Sequence, residues 1–308
     1  MNKTLFPMFG MMPAMNTPFT EDDCIDIDGL QKHIDNAIEA GICGFLIPVV
    51  ASEVNKLTSG EREQIVRAAL EANNHRVKMI GGASALNKEE CLKNVKALLH
   101  FDIDGILVNI PYENDESYKD YVRSIAALNP PVLMIQDYDI HGGGVPVDLL
   151  LRLFDEIDCF RCVKVETLPA GPKYTAIIEA SGNRLHVSGG WSITQLIDAW
   201  DRGVHAMANT GFHEAYCKIY ELYTKGRRDK AVALYEKIQP VIAFSNQYTD
   251  ISLHFFKHLL YRQGIYKTFK VRRPVLDYDK YFRRIGDEMI EKALHIIHEI
   301  KQGVYDPL

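Results

Sequence analysis

The 308-residue sequence contains no uninterrupted apolar run near the roughly 18 residues that a membrane-spanning helix needs. An excess of charge of one sign is also missing, since the net charge is -6 and the isoelectric point is about 6.0. A basic cluster lies within 267–284, but aromatic and acidic residues interrupt it, which is typical of a solvated helix face or a subunit contact. The composition therefore predicts a globular protein that binds neither nucleic acid nor membrane.

Motifs for metals and cofactors are missing as well. No histidine–carboxylate pattern indicates a catalytic metal, and no glycine-rich phosphate loop follows a predicted strand, so no cofactor is predicted. The six cysteines are scattered and mostly in apolar surroundings, which predicts reduced thiols and a cytoplasmic location. Cys159 and Cys162 form a C-x-x-C that leads into a strand rather than a helix, which disfavours redox or metal chemistry.

What the sequence does contain is a regular alternation of short apolar runs and longer amphipathic ones. The apolar runs predict strands at 8–17, 44–50, 77–83, 105–110, 131–137, 161–166, 185–190 and 205–211. The amphipathic run 28–41 has Asp28 as its predicted N-cap and Gly41 as its stop, and the run 58–73 opens with a capping box from Thr58 and Glu61. Eight such cycles favour an α/β fold, a closed (β/α)8 TIM barrel, with a doubly wound sheet as the alternative.

Strand patterns stop after about residue 225. Three further helices are predicted at 228–243, 249–263 and 284–302, which form an appended C-terminal three-helix bundle. We therefore predict a catalytic barrel domain at 1–225 and a helical extension at 226–308 that packs on it.

The predicted strand at 161–166 carries two charges where such strands carry aliphatic residues. Because side chains alternate along a strand, Lys164 and Glu166 share one face with Cys162. Burying a charged group costs several kcal/mol unless it is paired or neutralised. The pattern indicates either a paired surface strand or a reactive lysine.

Other polar side chains lie at the ends of the predicted strands or just after them, where barrel enzymes place their active sites. They are Ser52, Glu53, Asn109, Tyr112, Gln136, Asp137, Ser188, Asn209 and Thr210. Some of them are expected to be ordinary turn residues. Their convergence around one lysine nevertheless favours a site.

Several patterns resemble the dihydrodipicolinate synthase / N-acetylneuraminate lyase superfamily: VKVE at 163–166, SEVNKLTSGER at 52–62, IPYEN at 110–114, SGGW at 188–191 and the C-terminal helices. The resemblance covers nearly the whole chain. It implies that Lys164 forms a Schiff base with a small-molecule 2-oxo acid. It also implies a homo-oligomer, a tetramer or dimer, with Glu113 near an interface.

The sequence departs from the superfamily pattern at several positions. Val50 and Ala51 stand where two threonines are common, Glu113 replaces a tyrosine, and Ile135 stands at the catalytic tyrosine. The remaining pattern looks like the branch that contains 2-dehydro-3-deoxy-L-arabonate dehydratase. In that branch, residues that match Glu166 and Ser188 are implicated in proton transfer.

The resemblance predicts a lyase in which Lys164, Glu166 and Ser188 are catalytic. A lysine attacks a ketone as the free amine, so burial must lower its pKa, while an ionised Glu166 nearby would raise it unless the two share a proton. Glu166 is the predicted base at carbon 3, and Ser188 either orients the leaving hydroxyl or is a packed serine. The predicted substrate-binding residues are Ala51, Ser52, Glu53, Tyr112, Gln136, Asp137, Gly189 and Asn209.

Three functions fit these residues. Dehydration of a 2-keto-3-deoxy sugar acid is favoured because the tyrosine that would serve cleavage is missing. Retro-aldol cleavage that releases pyruvate or a related oxo acid is the second, and a non-catalytic 2-oxo acid-binding protein is the third.

Overall fold

The structure, a computed structural model, describes residues 3–190 and 192–306. Within them, eight parallel strands form one sheet in the order β1-β8-β7-β6-β5-β4-β3-β2. The strands are β1 (Gly10–Met11), β2 (Gly44–Leu46), β3 (Lys78–Gly82), β4 (Gly105–Asn109), β5 (Leu133–Asp139), β6 (Phe160–Thr167), β7 (His186–Gly189) and β8 (Ala206–Met207). The predicted (β/α)8 barrel is confirmed.

The chain around β1 and β2 closes the barrel. The backbone N–H of Cys43 donates to the carbonyl of Met11 at 2.9 Å, and that of Leu46 donates to the carbonyl of Pro13 at 2.8 Å. Pro13 has no N–H to return a bond, so the ladder is irregular there. As a result β1 is much shorter than the predicted strand at 8–17.

Eight helices surround the barrel within the described ranges: α1 (Ile27–Ala40), α2 (Ser59–Asn73), α3 (Lys88–Leu98), α4 (Asp115–Ala126), α5 (Val147–Glu156), α6 (Gly171–Ala180), α7 (Ser192–Asp201) and α8 (His213–Thr224). The predicted N-cap of α1 is wrong, because Asp26 rather than Asp28 accepts from the N–H of Gly29. Gly41 ends α1 with a φ of 101°, a left-handed conformation that favours glycine. The predicted capping box of α2 is confirmed.

Three helices follow the barrel: α9 (Arg228–Ser245), α10 (Thr249–Arg262) and α11 (Lys280–Lys301). The prediction of three helices is confirmed, although α11 begins before residue 284 because Asp279 caps it through the N–H groups of Tyr281 and Phe282. The division into domains at 1–225 and 226–308 stays a prediction. Its boundary falls in the turn between α8 and α9.

The barrel interior is filled by a compact apolar cluster: Phe6, Met8, Met12, Leu46, Ile80, Leu107, Val132, Met134, Cys162 and Ala206. A larger apolar layer lies between the strands and the helices and includes Ile135, Val163 and Val165. Cys162 therefore faces the barrel axis, and the alternation along β6 turns Lys164 and Glu166 to the same side. No helix in the described part of the chain is long and apolar enough to cross a bilayer.

Candidate active site

The inward side chains of three neighbouring strands change from apolar to polar toward their carboxyl ends. Leu107 is followed by Asn109 on β4, and Met134 by Gln136 on β5, at the level where Cys162 gives way to Lys164 on β6. Asn109, Gln136 and Lys164 are register partners on adjacent strands, so the three side chains form one polar layer. The amide of Asn109 also donates to the carbonyl of Gln136 at 3.0 Å.

A cavity of about 540 Å³ lies above this layer at the carboxyl ends of the strands. This is the end where barrel enzymes place their active sites. Its polar lining side chains come from the barrel and from the start of the C-terminal extension: Ser84, Asn109, Gln136, Tyr138, Lys164, Glu166, Asn209, Thr210, Tyr216, Asn246, Tyr248, Thr249 and Ser252.

Lys164 and Glu166 form a buried ion pair that faces the cavity. The Lys164 Nζ lies 2.8 Å from Glu166 Oε1, and the two residues are 6% and 9% exposed. The other carboxylate oxygen of Glu166 accepts from the Gln136 amide. The carboxylate is thus held between an ammonium group and an amide, with its position fixed on both sides.

Gly190 makes room for this carboxylate. A Cβ at position 190 would overlap the Glu166 side chain, and Gly190 itself lines the cavity. A side chain is therefore excluded at this position, directly after β7, because Glu166 of the neighbouring strand β6 occupies the space that a Cβ would need. Trp191, the last residue of the SGGW pattern, lies outside the described residues.

The loop after β2 brings backbone donors to the cavity. Val50 and Ala51 line it and begin the 3-10 turn Val50–Ser52. Within the described part of the chain, neither of their backbone N–H groups has an acceptor. The Asn16 amide donates to the Ala51 carbonyl at 2.9 Å and fixes the turn. Paired N–H groups of this kind can bind a carboxylate although both threonine hydroxyls of the family pattern are missing.

Asn209 also lines this cavity. Its amide nitrogen donates to the Gly211 carbonyl at 2.8 Å, while its Oδ1 is buried without a donor among the residues described. Asn209 is 7% exposed. Asn209 therefore lines the cavity with a neutral amide whose nitrogen is fixed to the loop after β8.

Several predicted site residues lie outside the cavity. Ser188 is the register partner of Lys164, but its side chain is fully buried and lies 3.4 Å from the Val163 carbonyl. Gly189 faces Tyr174 and Met207, where a Cβ would have no space. Both residues therefore shape the strand end beside the cavity.

Asp137 points away from the barrel axis because it alternates with Gln136. It forms an ion pair with Lys173 and accepts from the N–H of Val145 at 2.9 Å. Burial raises the pKa of its carboxyl group, and the Lys173 ammonium opposes that shift. These contacts fix the loop after β5 against α6.

Ser52 and Glu53 fix the loop after β2 to neighbouring parts of the fold. The Ser52 hydroxyl donates to the Met15 carbonyl at 2.6 Å. Glu53 is buried in an ion pair with Lys257 of α10, and its second oxygen accepts from the backbone N–H of Arg272 at 3.0 Å. These two residues position Ala51 without lining the cavity themselves.

Tyr112 and Glu113 lie on the surface after β4. The Tyr112 hydroxyl donates to Asp115 at 2.8 Å, and Tyr112 is 37% exposed. His141 is also exposed, and its backbone N–H donates to the side chain of Asp139, the last residue of β5, at 2.9 Å. The homo-oligomer and the place of Glu113 near an interface stay predictions.

The sequence pattern missed several lining residues, among them Ser84, Tyr138 and Tyr216. Ile135 is buried on the helix side of β5, while β5 continues to Asp139 and presents Tyr138 to the cavity, in register with Glu166. Ending the predicted strand at residue 137 hid this tyrosine, although strict alternation from Gln136 reveals it. Asn246, Tyr248, Thr249 and Ser252 come from the extension and carry no motif.

A scan against protein-family models matches residues 7–293 to the dihydrodipicolinate synthetase family. The chain belongs to this family. Members of the dihydrodipicolinate synthetase family are lyases, which makes this chain a lyase and confirms the superfamily resemblance.

Named relatives have two different activities. The chain is 26% identical over 277 residues to the L-2-keto-3-deoxyarabonate dehydratase of Azospirillum brasilense, covering 86% of this chain and 88% of that protein. It is 31% identical over 183 residues to the 4-hydroxy-tetrahydrodipicolinate synthase of Methanosarcina mazei, covering 58% and 57%. The relatives alone thus leave the reaction open within the family.

Solved structures agree on the fold. Dihydrodipicolinate synthase from Rhodopseudomonas palustris superposes with a TM-score of 0.85 at 19% identity, covering 94% of this chain and 99% of that one. The 4-hydroxy-tetrahydrodipicolinate synthase from Methylacidiphilum fumariolicum gives a TM-score of 0.86 at 18% identity, covering 96% and 99%. At these identities the likeness concerns the barrel and its extension alone.

Proposed function

We propose that the protein is a Schiff-base lyase that dehydrates a 2-keto-3-deoxy sugar acid. The observation that carries the proposal is the Lys164–Glu166 pair, which is buried at 2.8 Å yet faces a cavity. A lysine with this access can attack a carbonyl, and its carboxylate partner can take the ammonium proton first. The 26% identical L-2-keto-3-deoxyarabonate dehydratase supports the same reaction class.

The first step joins substrate to Lys164. Glu166 accepts a proton from the ammonium, and the free amine attacks carbon 2 of the 2-oxo acid to form a carbinolamine. Glu166 then gives its proton to the carbinolamine hydroxyl, which leaves as water, so that an iminium and an ionised carboxylate result. The N–H groups of Val50 and Ala51 are placed to bind the carboxylate next to that carbon. Gln136 holds Glu166 in position throughout this step.

The second step removes a proton and a hydroxyl group. The iminium charge acidifies the carbon 3 proton, which Glu166 takes to form an enamine. Expulsion of the carbon 4 hydroxyl as water gives a conjugated iminium, which water then hydrolyses to release the product and the lysine. Tyr138 lines the cavity in register with Glu166, so we assign the leaving-group acid to its phenol in place of Ser188.

Retro-aldol cleavage remains the second candidate because of the same tyrosine. A phenol in the cavity can serve as the base at the carbon 4 hydroxyl, which cleavage requires. The missing family tyrosine at Ile135 therefore no longer favours dehydration by itself. A non-catalytic 2-oxo acid-binding protein is the third candidate function.

One experiment separates the three. The protein is incubated with 2-keto-3-deoxy acids of five and six carbons, and the products are followed by mass spectrometry with and without borohydride. We expect an adduct on Lys164 and a product lighter than the substrate by one water. Release of pyruvate and an aldehyde would establish the aldolase instead, and a lack of adduct with every acid would leave a binding protein.

Tyr138→Phe tests the assignment of the leaving-group acid. We expect this variant to form the adduct and to exchange the carbon 3 protons of pyruvate with deuterated solvent at the normal rate, while dehydration slows by at least about tenfold. Unchanged dehydration would remove Tyr138 from the mechanism.

A further inference from the structure

The cavity contains few charges. Among its lining side chains that the structure describes, Lys164 is the one cation and Glu166 the one anion, and they neutralise each other at 2.8 Å. The other polar lining groups are amides and hydroxyls. A second anionic group on a substrate would therefore leave water without meeting a cation, at a cost of several kcal/mol.

The far wall of the cavity belongs to the C-terminal extension. Asn246 ends α9, Tyr248 precedes α10, and Thr249 and Ser252 lie in the first turn of α10. Carbon 2 of a bound substrate is attached to Lys164 on the barrel floor. These amide and hydroxyl groups line the same cavity as Lys164, so they are available to the far end of a chain of five or six carbons attached there.

The positive end of α10 is the one feature of this wall that favours an anion. Its N-cap, Tyr248, makes no side-chain capping bond. Asp250 lies in the same first turn and accepts from the backbone N–H of Leu276 at 2.7 Å, so its negative charge opposes the helix dipole. The wall as a whole therefore carries no net attraction for a carboxylate.

The amides of the cavity give a second argument. Asn109 and Gln136 line the barrel side of the cavity, and Asn246 lines the extension side. Amide groups pair with hydroxyl groups as donors or as acceptors, and they carry no net charge that would offset an anion. The amides thus favour a hydroxylated chain for the same reason that the lack of further cations disfavours an anionic one.

From these observations we infer that the site selects 2-oxo acids whose far end is an uncharged, hydroxylated chain, and that the α9–α10 junction determines this specificity. The inference rests on the proposed Schiff-base function. It excludes substrates of the same length that end in a carboxylate or a phosphate ester.

The test compares substrates that differ in one group. The values of kcat/KM are measured for a 2-keto-3-deoxy acid that ends in CH2OH, for the acid of equal length that ends in a carboxylate, and for the corresponding terminal phosphate ester. Adduct formation with pyruvate, which has no far end, is measured in parallel. We expect the neutral substrate to be favoured by about 100-fold over either anionic one.

Variants test which residues cause the preference for the neutral substrate. Ser252→Arg places a cation on the wall and is expected to reduce the preference for the neutral substrate at least tenfold. Ala243→Arg adds the same charge on the exposed face of α9, outside the cavity, and is expected to leave the preference within about twofold of the wild type. If Ser252→Arg does not fold, Thr249→Lys carries the same test from an exposed position.

Every outcome bears on the inference. A preference of tenfold or more for the neutral end supports it, and a smaller preference or one for an anionic end overturns it while adduct formation keeps the proposed function. An unchanged preference in a folded Ser252→Arg overturns the role of the α9–α10 junction. Failure of every 2-oxo acid, pyruvate included, to form an adduct overturns the proposed function and the inference together.

Discussion

Lys164 and Lys257 are both buried beside a glutamate, but their surroundings differ. Lys164 and Glu166 face a cavity of about 540 Å³. Lys257 and Glu53 have fully buried side chains, and the Lys257 ammonium also donates to the Lys270 carbonyl and lies 4.3 Å from the centre of the Phe19 ring. Burial and a carboxylate partner are therefore shared by both lysines. Access to a substrate-sized space distinguishes the one that can react.

Lys164→Ala should have the largest effect on activity. Removing the amine abolishes the borohydride-trapped adduct and lowers turnover by at least about 10⁴-fold, roughly 5.5 kcal/mol of barrier. The fold should persist, because the substitution opens onto an existing cavity. Steady-state kinetics and circular dichroism measure the two effects, and residual activity within about tenfold of wild type would reject the Schiff base.

Glu166→Gln should separate the two functions of the active pair. We expect the iminium still to form, although more slowly, because Lys164 remains and solvent takes its ammonium proton in place of Glu166. Turnover should fall by about 10² to 10⁴-fold, as for a removed general base. Exchange of the carbon 3 protons of bound pyruvate with deuterated solvent should stop. Exchange at the wild-type rate would show that another group is the base.

Lys257→Met should affect stability rather than chemistry. It leaves the buried Glu53 with Lys56, at 3.1 Å, as its remaining cation. We therefore expect the free energy of unfolding to fall by about 3 kcal/mol, the lower end of the range for a broken buried ion pair. Urea denaturation measures this loss, and the folded fraction should still form the Lys164 adduct. Adding Glu53→Gln should restore part of the stability, because the buried negative charge is gone; purely additive losses would contradict the pairing.

The smallest expected effect is a pH dependence of stability. Burial lowers the pKa of Lys257 from 10.5 to about 8. Between these values the unfolded chain binds more protons than the folded one, so the Lys257 contribution makes the free energy of unfolding rise with pH, by at most about 1.4 kcal/mol per pH unit. The difference between wild type and Lys257→Met, measured from pH 7.5 to 10, should show this slope. A difference that is constant with pH would contradict it.

The sequence predicted the barrel and the reactive strand because both depend on local alternation. The barrel was predicted from apolar runs of strand length. The orientation of Lys164, on the same face as Cys162, follows from the two-residue period of β6. The same rule extended by two residues along β5 reveals Tyr138. The far wall of the cavity has no such period, since Asn246 and Ser252 reach it through the packing of helices far along the chain.

Asp137, Glu53 and Ser188 show why polar residues at strand ends are ambiguous. Each lies near the carboxyl end of a strand or just beyond it. Asp137 nevertheless fixes a loop against Lys173, Glu53 pairs with α10, and Ser188 contacts the backbone of β6. Whether such a side chain meets a ligand or its own fold depends on partners that are distant in sequence. No local pattern distinguishes the two uses.

The Glu53–Lys257 pair also has a consequence for synthesis of the chain. Its partners are 204 residues apart, so the loop that carries Ala51 has no buried cation to hold it until α10 has left the ribosome. A nascent barrel with all eight strands would have Lys56, 3.1 Å from Glu53, as the nearby cation, but it would lack Lys257 and the wall of the cavity that the extension supplies. The loop that carries Ala51 is thus fixed by one of the last segments to be made. The candidate active site is therefore complete only after α10 has been synthesised.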